Sequence, residues 1–239
     1  IIKKKMGLSL AELKIIIKFI KDYESNIVKI IKKLMTTHTF KSKEELQEAV
    51  DIWCNDETLD EAEEKYGHIS YWNVSRIKDT SYLFKDKKTF NDDISRWNIS
   101  NVINMRGMFA KAISFNQPLN SWNVSKVKDM GYMFYEAWKF NQPLKKWNVS
   151  NVINMNHMFN NAKSFNQRIN KWNITNVNEN HNMFLGAEKM NILNKPKPKE
   201  FQNCKEIQVA IKLWNENKNK CKIIYGDIKS WKVPYKNIS

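Results

Sequence analysis

Four histidines, His38, His68, His157 and His181, and three cysteines, Cys54, Cys204 and Cys221, are the residues of this chain suited to metal binding or nucleophilic attack. Their spacing serves neither. No two cysteines form a C-x-x-C pair, and no histidine stands at ligand spacing from a cysteine. Asp92 and Asp93 are adjacent acids in a turn, without a partner suited to acid–base work. The chain has no G-x-S-x-G, P-loop or dinucleotide fingerprint, and its six glycines leave little material for a phosphate-cradling loop. The expectation is a protein that is not an enzyme, with no catalytic residues, no metal and no cofactor. The small, odd number of cysteines reads as free thiols in a reducing compartment.

Charge is the stronger chemical signal. The net charge of +15 over 239 residues is laid out in blocks. Residues 1–43 hold 11 bases and 3 acids, and residues 44–64 hold 10 acids and no base. Residues 65–194 hold 18 bases and 8 acids, and residues 195–239 hold 11 bases and 4 acids. Blocks of this kind bear on association more than the total does. No apolar run approaches a membrane span. The opening "IIKKKMGLSLAELKIIIKFI" is interrupted by Glu12, Lys14 and Lys18 and has no small-residue cleavage site after it, so it is not read as a signal peptide. The expected location is intracellular, and the cell surface if a signal lies upstream.

The residues that must position this chemistry repeat every 25 positions. Tryptophan falls at Trp72, Trp97, Trp122, Trp147 and Trp172, and phenylalanine at Phe84, Phe109, Phe134, Phe159 and Phe184. A second column runs Phe90, Phe115, Phe140, Phe165 and then Met190. A repeat of this length predicts a stacked array whose units cannot stand alone. In the third copy the apolar positions are Leu119, Trp122, Val124, Val127, Met130, Met133 and Phe134. Leu-x-x-Trp-x-Val has the spacing of a leucine-rich-repeat strand, and alternation from Trp122 to Ser125 is strand-like. Val127, Met130 and Met133, three apart, predict a 3-10 or short helical return. Pro118 and Pro143 suit the bend that follows. The predicted fold is a leucine-rich-repeat-like repeat solenoid, with short parallel strands plus 3-10 or helical returns, an alpha-helical amino-terminal region and helical end caps.

The predicted divisions are 1–39, an amphipathic helical region; 40–70, a helical cap; 71–194, five repeats; and 195–239, a second module. Residues 9–35 carry an apolar stripe at Leu13, Ile16, Ile20, Tyr23, Ile27, Ile30 and Leu34, read as a helix that packs on the array or self-associates. Residues 43–53 predict a helix with Leu46, Ala49, Val50 and Trp53 on one face. A short acidic helix follows, closed by Gly67. Past residue 195 the lead-in returns: "FQNCKEIQVAIKLW" from Phe201 aligns with "FKSKEELQEAVDIW" from Phe40, as a cap or as the start of a second array.

On these residues the chain resembles a known family. "FNQPLNSWNVSKVKDMGYMF" is similar to the BspA-type leucine-rich repeat of mollicute surface proteins, which also occurs in large DNA viruses. The stretch "FKSKEELQEAVDIW…YGHISYWNVS" resembles the helical lead-in of such arrays. The resemblance covers residues 40–190. It implies a solenoid used for protein contacts, with no catalytic residues to carry over. The last copy departs from the pattern at Asn180 and Met190.

Three outward columns complete the reading. Asn73, Asn98, Asn123, Asn148 and Asn173 barely vary, nor do Ser75, Ser100, Ser125, Ser150 and Thr175, and both are expected to bond to the next rung. Each pair is also a glycosylation sequon, here read as structural. The column Tyr71, Arg96, Ser121, Lys146 and Lys171 varies freely and is the expected partner-binding surface. The functional expectation is a protein–protein interaction or assembly scaffold, such as a structural component of a virus particle, with copies of itself docking end to end. The alternatives are a basic binder of nucleic acid or of an acidic partner, and a secreted adhesin. Binding to a membrane surface is not expected.

Overall fold

In a computed structural model, residues 15, 18–24, 38–196, 204–218 and 221 are described. Helix α1 (Lys43–Trp53) starts where Ser42 accepts the Glu45 N–H on its side-chain oxygen. Glu44 and Glu45 in its first turn suit the helix dipole. It buries Leu46, Ala49, Val50 and Trp53. Helix α2 (Leu59–Tyr66) packs on α1, buries Ala62 and Tyr66, and stops at Gly67, whose φ of 73° suits a residue without Cβ. A 3-10 turn, Ile69–Tyr71, then delivers Trp72 to the first of five stacked coils.

The five coils superpose their apolar columns. All five tryptophans are at most 5% exposed. Phe84, Phe109, Phe134 and Phe159 have no exposed surface, and each lies nearly parallel to the next ring of its column, 5.4–5.6 Å away. Within a coil the two phenylalanine columns touch, as at Phe109 and Phe115, 4.1 Å apart. The result is one continuous core from Phe40 to Met190.

The strand-based leucine-rich-repeat solenoid is overturned. Among the described residues there is no strand, only isolated parallel bridges such as Asp79 to Asn104 and Asn104 to Asp129. The physical reason lies in the backbone. Tyr82, Gly107, Tyr132, His157 and Asn182 form one column of left-handed residues, with φ between 51° and 60°. Asp86, Lys111, Glu136, Asn161 and Gly186 form a second, with φ between 54° and 70°. Two left-handed residues per coil curl the chain into tandem turns, where a strand needs an unbroken extended run. These turns also take the place of the expected 3-10 or helical return. Alternate N–H groups reach the following coil: Tyr82 to Arg106, Phe84 to Met108 and Asp86 to Ala110, at 2.8–2.9 Å. The N–H groups between them close turns three residues back, as Lys85 does to Tyr82.

Near the tryptophans the coils are joined by side chains. The indole N–H groups of Trp97, Trp122, Trp147 and Trp172 donate to the carbonyls of Ile69, Ile94, Leu119 and Leu144 in the preceding coil, at 2.8–3.2 Å. The Asn73 and Ser75 columns correct a second expectation: Asn73 Nδ2 donates to Thr39 Oγ1 of the lead-in at 3.2 Å, but from Asn98 onward these side chains serve their own turn. Asn98 Oδ1 accepts the N–H of Ser100, and Asn123, Asn148 and Asn173 do the same two residues on, which makes each an Asx turn. Rung-to-rung bonds come from another column, where Asn116 N–H donates to Asn91 Oδ1, Asn141 to Asn116 and Asn166 to Asn141, at 2.8–2.9 Å. A further column runs Asp79, Asn104, Asp129, Asn154, Glu179. There the amides of Asn104 and Asn154 donate to the carboxylates of Asp79 and Asp129, each at 3.3 Å.

At the amino end α1 stands in for a missing coil. Gln47 Nε2 donates to the Leu83 carbonyl at 3.1 Å, the place that receives a backbone N–H at Met108 one coil later. Lys43 reaches Asp79 and Ser81. Burial would raise the Asp79 carboxyl, but the Ser81 N–H and hydroxyl and the Lys43 charge outweigh it and hold it below the usual range. At the other end, the 3-10 turn Ile192–Asn194 lies against the last coil through Ile169 N–H to Asn194 O at 3.0 Å. Helix α3 (Cys204–Glu216) belongs to a small separate cluster centred on Ala210 and Cys221.

Two substitutions test this account. Trp147→Phe removes the 2.8 Å bond to Leu119 O, but that carbonyl keeps the Trp122 N–H. The expected loss in urea unfolding is about 1 kcal/mol for the bond, against about 3–5 for Trp147→Ala, which also leaves a cavity. Asn154→Asp places a carboxylate between Asp129 and Glu179 at a site that is 9% exposed. Like charges raise its folded pKa, so the destabilisation, about 1–3 kcal/mol, is present at neutral pH and vanishes as pH falls below the ordinary carboxylate range. Urea midpoints at neutral and acid pH measure it.

Candidate functional site

An open groove of about 840 Å³ lies at the carboxyl end of the stack. It is built from the turn that precedes each tryptophan. Lys145 and Lys146 come from one coil, Arg168 and Lys171 from the next, and Asn191 with the 3-10 turn Ile192–Asn194 forms the far wall. Ile169 and Trp172, both buried, make its floor. The backbone under the lysines is pinned: Lys146 N–H donates to Asn120 Oδ1 at 2.9 Å, and Asn170 Nδ2 to Leu193 O at 3.1 Å. Asn194 Nδ2 holds the wall to Asn166, donating to its carbonyl and to its side-chain oxygen.

The four cations of the groove are exposed, and among the described residues none has a carboxylate within ion-pair distance. Their situation differs from that of Arg106 on the turn face. Arg106 Nε donates to Tyr82 Oη at 2.9 Å, its guanidinium lies 4.8 Å from the Tyr132 ring, and Asp129 is 3.7 Å away. That cation is satisfied within the chain. The groove cations repel one another, and an anion between them relieves the repulsion.

The expected partner-binding column divides. Lys146 and Lys171 enter the groove. Ser121 is exposed and donates its hydroxyl to Ser95 O at 3.2 Å. Tyr71 is half-buried, with the Arg96 guanidinium 5.2 Å above its ring, so these two pair with each other at the amino end. Lys145 and Arg168 were not singled out from the sequence. Arg168 had a signal, since it occupies the Pro118 and Pro143 position. Of the expected assembly helix, Ile20 and Tyr23 are 48% and 60% exposed and lie in the helical residues 18–24. Leu13, Ile16, Ile27, Ile30 and Leu34 lie outside the described residues.

Residues of catalytic type have structural duties. Asp92 accepts the Trp53 indole N–H at 2.9 Å. Asp93 is held below the usual carboxylate range by the Ser95 N–H and then the Ser95 side chain. Burial pushes the Cys54 thiol up to about 12 and raises that of Cys221, so neither offers a thiolate at neutral pH. His157 stacks on Tyr132 at 4.7 Å. Burial, then the charges of His181 and Arg106, lowers its pKa. Among the described residues no three His, Cys, Asp or Glu side chains group as metal ligands, and no helix is long and apolar enough to cross a membrane.

Fold and site together define a repeat protein in which strandless 25-residue coils share one core and leave a cationic groove open at one end. The chain belongs to the family described as Mycoplasma protein of unknown function, DUF285, whose model matches residues 54–152 and 133–221. No curated protein and no solved structure matches it.

The thiol chemistry is directly measurable. Iodoacetamide at mildly alkaline pH is expected to alkylate Cys54 slowly in the native protein and rapidly in denaturant, as read by mass spectrometry of the peptide; rapid native labelling would contradict the raised pKa.

Proposed function

We propose that this chain is a non-enzymatic interaction protein whose basic groove seats an acidic segment of a protein partner. The observation that carries the reading is the convergence of Lys145, Lys146, Arg168 and Lys171 on one groove with no internal counter-charge. Three lysines beside a planar guanidinium suit carboxylates spread along a helix or turn. Asn191 of the wall adds a neutral side-chain amide at the rim. The resemblance of residues 40–190 to BspA-type repeats of surface proteins supports protein contact as the use of the array. The tryptophan and phenylalanine columns are committed to the core, and among the described residues no exposed ring lines the groove for a base to stack on, which favours a protein over a nucleic acid there.

The test is fluorescence anisotropy with a labelled oligoglutamate peptide and, separately, a single-stranded oligonucleotide. Peptide binding is expected at low salt, and Lys146→Glu with Lys171→Glu is expected to weaken it about tenfold or more, while Lys139→Glu on another face leaves it unchanged. Peptide binding that ignores the groove variants would overturn the proposal. So would an oligonucleotide that binds far more tightly, with a steep salt slope.

A further inference from the structure

We infer that the acidic partner of the groove is a second copy of this chain, and that the groove of one copy receives the α2 end of the next. The inference rests on the reading of the groove as a seat for an acidic protein segment, and it names that segment. Asp56, Glu57, Asp60, Glu61 and Glu64 are exposed on α2 and the turn before it, and among the described residues none is within ion-pair distance of a base. One chain therefore carries two uncompensated patches of opposite sign.

The two patches cannot neutralise each other within a copy. Helix α1 is fastened to the first coil through Gln47 to Leu83 O and Lys43 to Asp79. The groove is built from Lys145 onward. The coils that carry Trp97 and Trp122 lie between them. Between copies the geometry is favourable, because the patches sit towards opposite ends of a rod-like stack. The contact must also be polar. The helices α1 and α2 cover the first coil, so the core of one copy cannot stack on the core of another. Each acidic face meets a different surface from its own, which makes the contact heterologous and, unless it closes into a ring, open-ended. Its strength falls as salt screens the charges.

The experiment is sedimentation velocity on the full chain and two variant pairs. The unmodified protein is expected to form concentration-dependent oligomers at about 50 mM salt and to dissociate at about 500 mM. Lys146→Glu with Lys171→Glu destroys the groove, and Glu57→Lys with Glu61→Lys destroys the acidic face. Each variant alone is expected to be monomeric, with circular dichroism confirming that it is folded. An equimolar mixture keeps one intact groove and one intact acidic face, so it is expected to give a 1:1 dimer and nothing larger. A full chain that stays monomeric at high concentration in low salt overturns the inference, as does a mixture that forms no dimer. Oligomers that neither variant disturbs also overturn it. Those outcomes leave the oligoglutamate measurement to decide the broader proposal independently.

Discussion

No coil of this protein can satisfy its own backbone. In each tandem turn half of the N–H groups close the turn and the other half point along the stack, where only the next coil supplies carbonyls. Indole N–H groups impose the same dependence in the other direction, because each tryptophan seeks a carbonyl in the coil before it. Unmet donors in such a core would each cost on the order of 1–3 kcal/mol. The stack therefore folds as neighbours, and its first coil requires a stand-in, which Gln47 and Lys43 of α1 provide.

That dependence accounts for the distribution of variation along the chain. Columns that serve a neighbour hold one residue type or a close substitute, as Trp72 to Trp172 and Asn91 to Asn166 do. Columns that serve no neighbour are free to change, and the groove arises where such columns turn cationic in consecutive coils. Arg168, in the place of Pro118 and Pro143, marks the spot. The structure keeps its rigid, mutually dependent elements in the interior and leaves exposed chemistry to a few turn positions.

The core was legible because burial needs only periodicity. Trp122, Val124, Val127, Met130 and Met133 are all inside, where their spacing places them. Helix α1 was legible from its Leu46–Val50–Trp53 face, and the structure adds the Ser42 cap that fixes its start. The strand was not, because the same alternation of large and small residues occurs between Asx turns, and the extended run at each tryptophan is too short to form a ladder. The left-handed columns were hidden for a related reason. Tyr82, Lys111 and Glu136 are not residues that announce a positive φ, and only Gly107, Asn161, Asn182, Asp86 and Gly186 carry the usual signature. The Asn73 column looked like a rung-to-rung ladder because an invariant polar residue fits either a neighbour or its own turn. Half of the groove was visible as Lys146 and Lys171. Lys145 and Arg168 required knowing which turns lie side by side.

The column of Asp79, Asn104, Asp129, Asn154 and Glu179 gives the array a grain coarser than the single coil. Acid alternates with amide, and over the first four coils the neighbouring residues keep step: Arg76 and Lys78, then Asn101 and Ile103, then Lys126 and Lys128, then Asn151 and Ile153, the step being lost at Asn176 and Asn178. Excising any one interior coil would bring two carboxylates or two amides face to face; removing the Asn104 coil, for instance, sets Asp79 against Asp129. Excising an adjacent interior pair would again set acid against amide in this column. Along this column the array therefore repeats every two coils, fifty residues (twice the 25-residue spacing of the tryptophans), so a change of length by two coils preserves its pairing of acid with amide and a change by one does not.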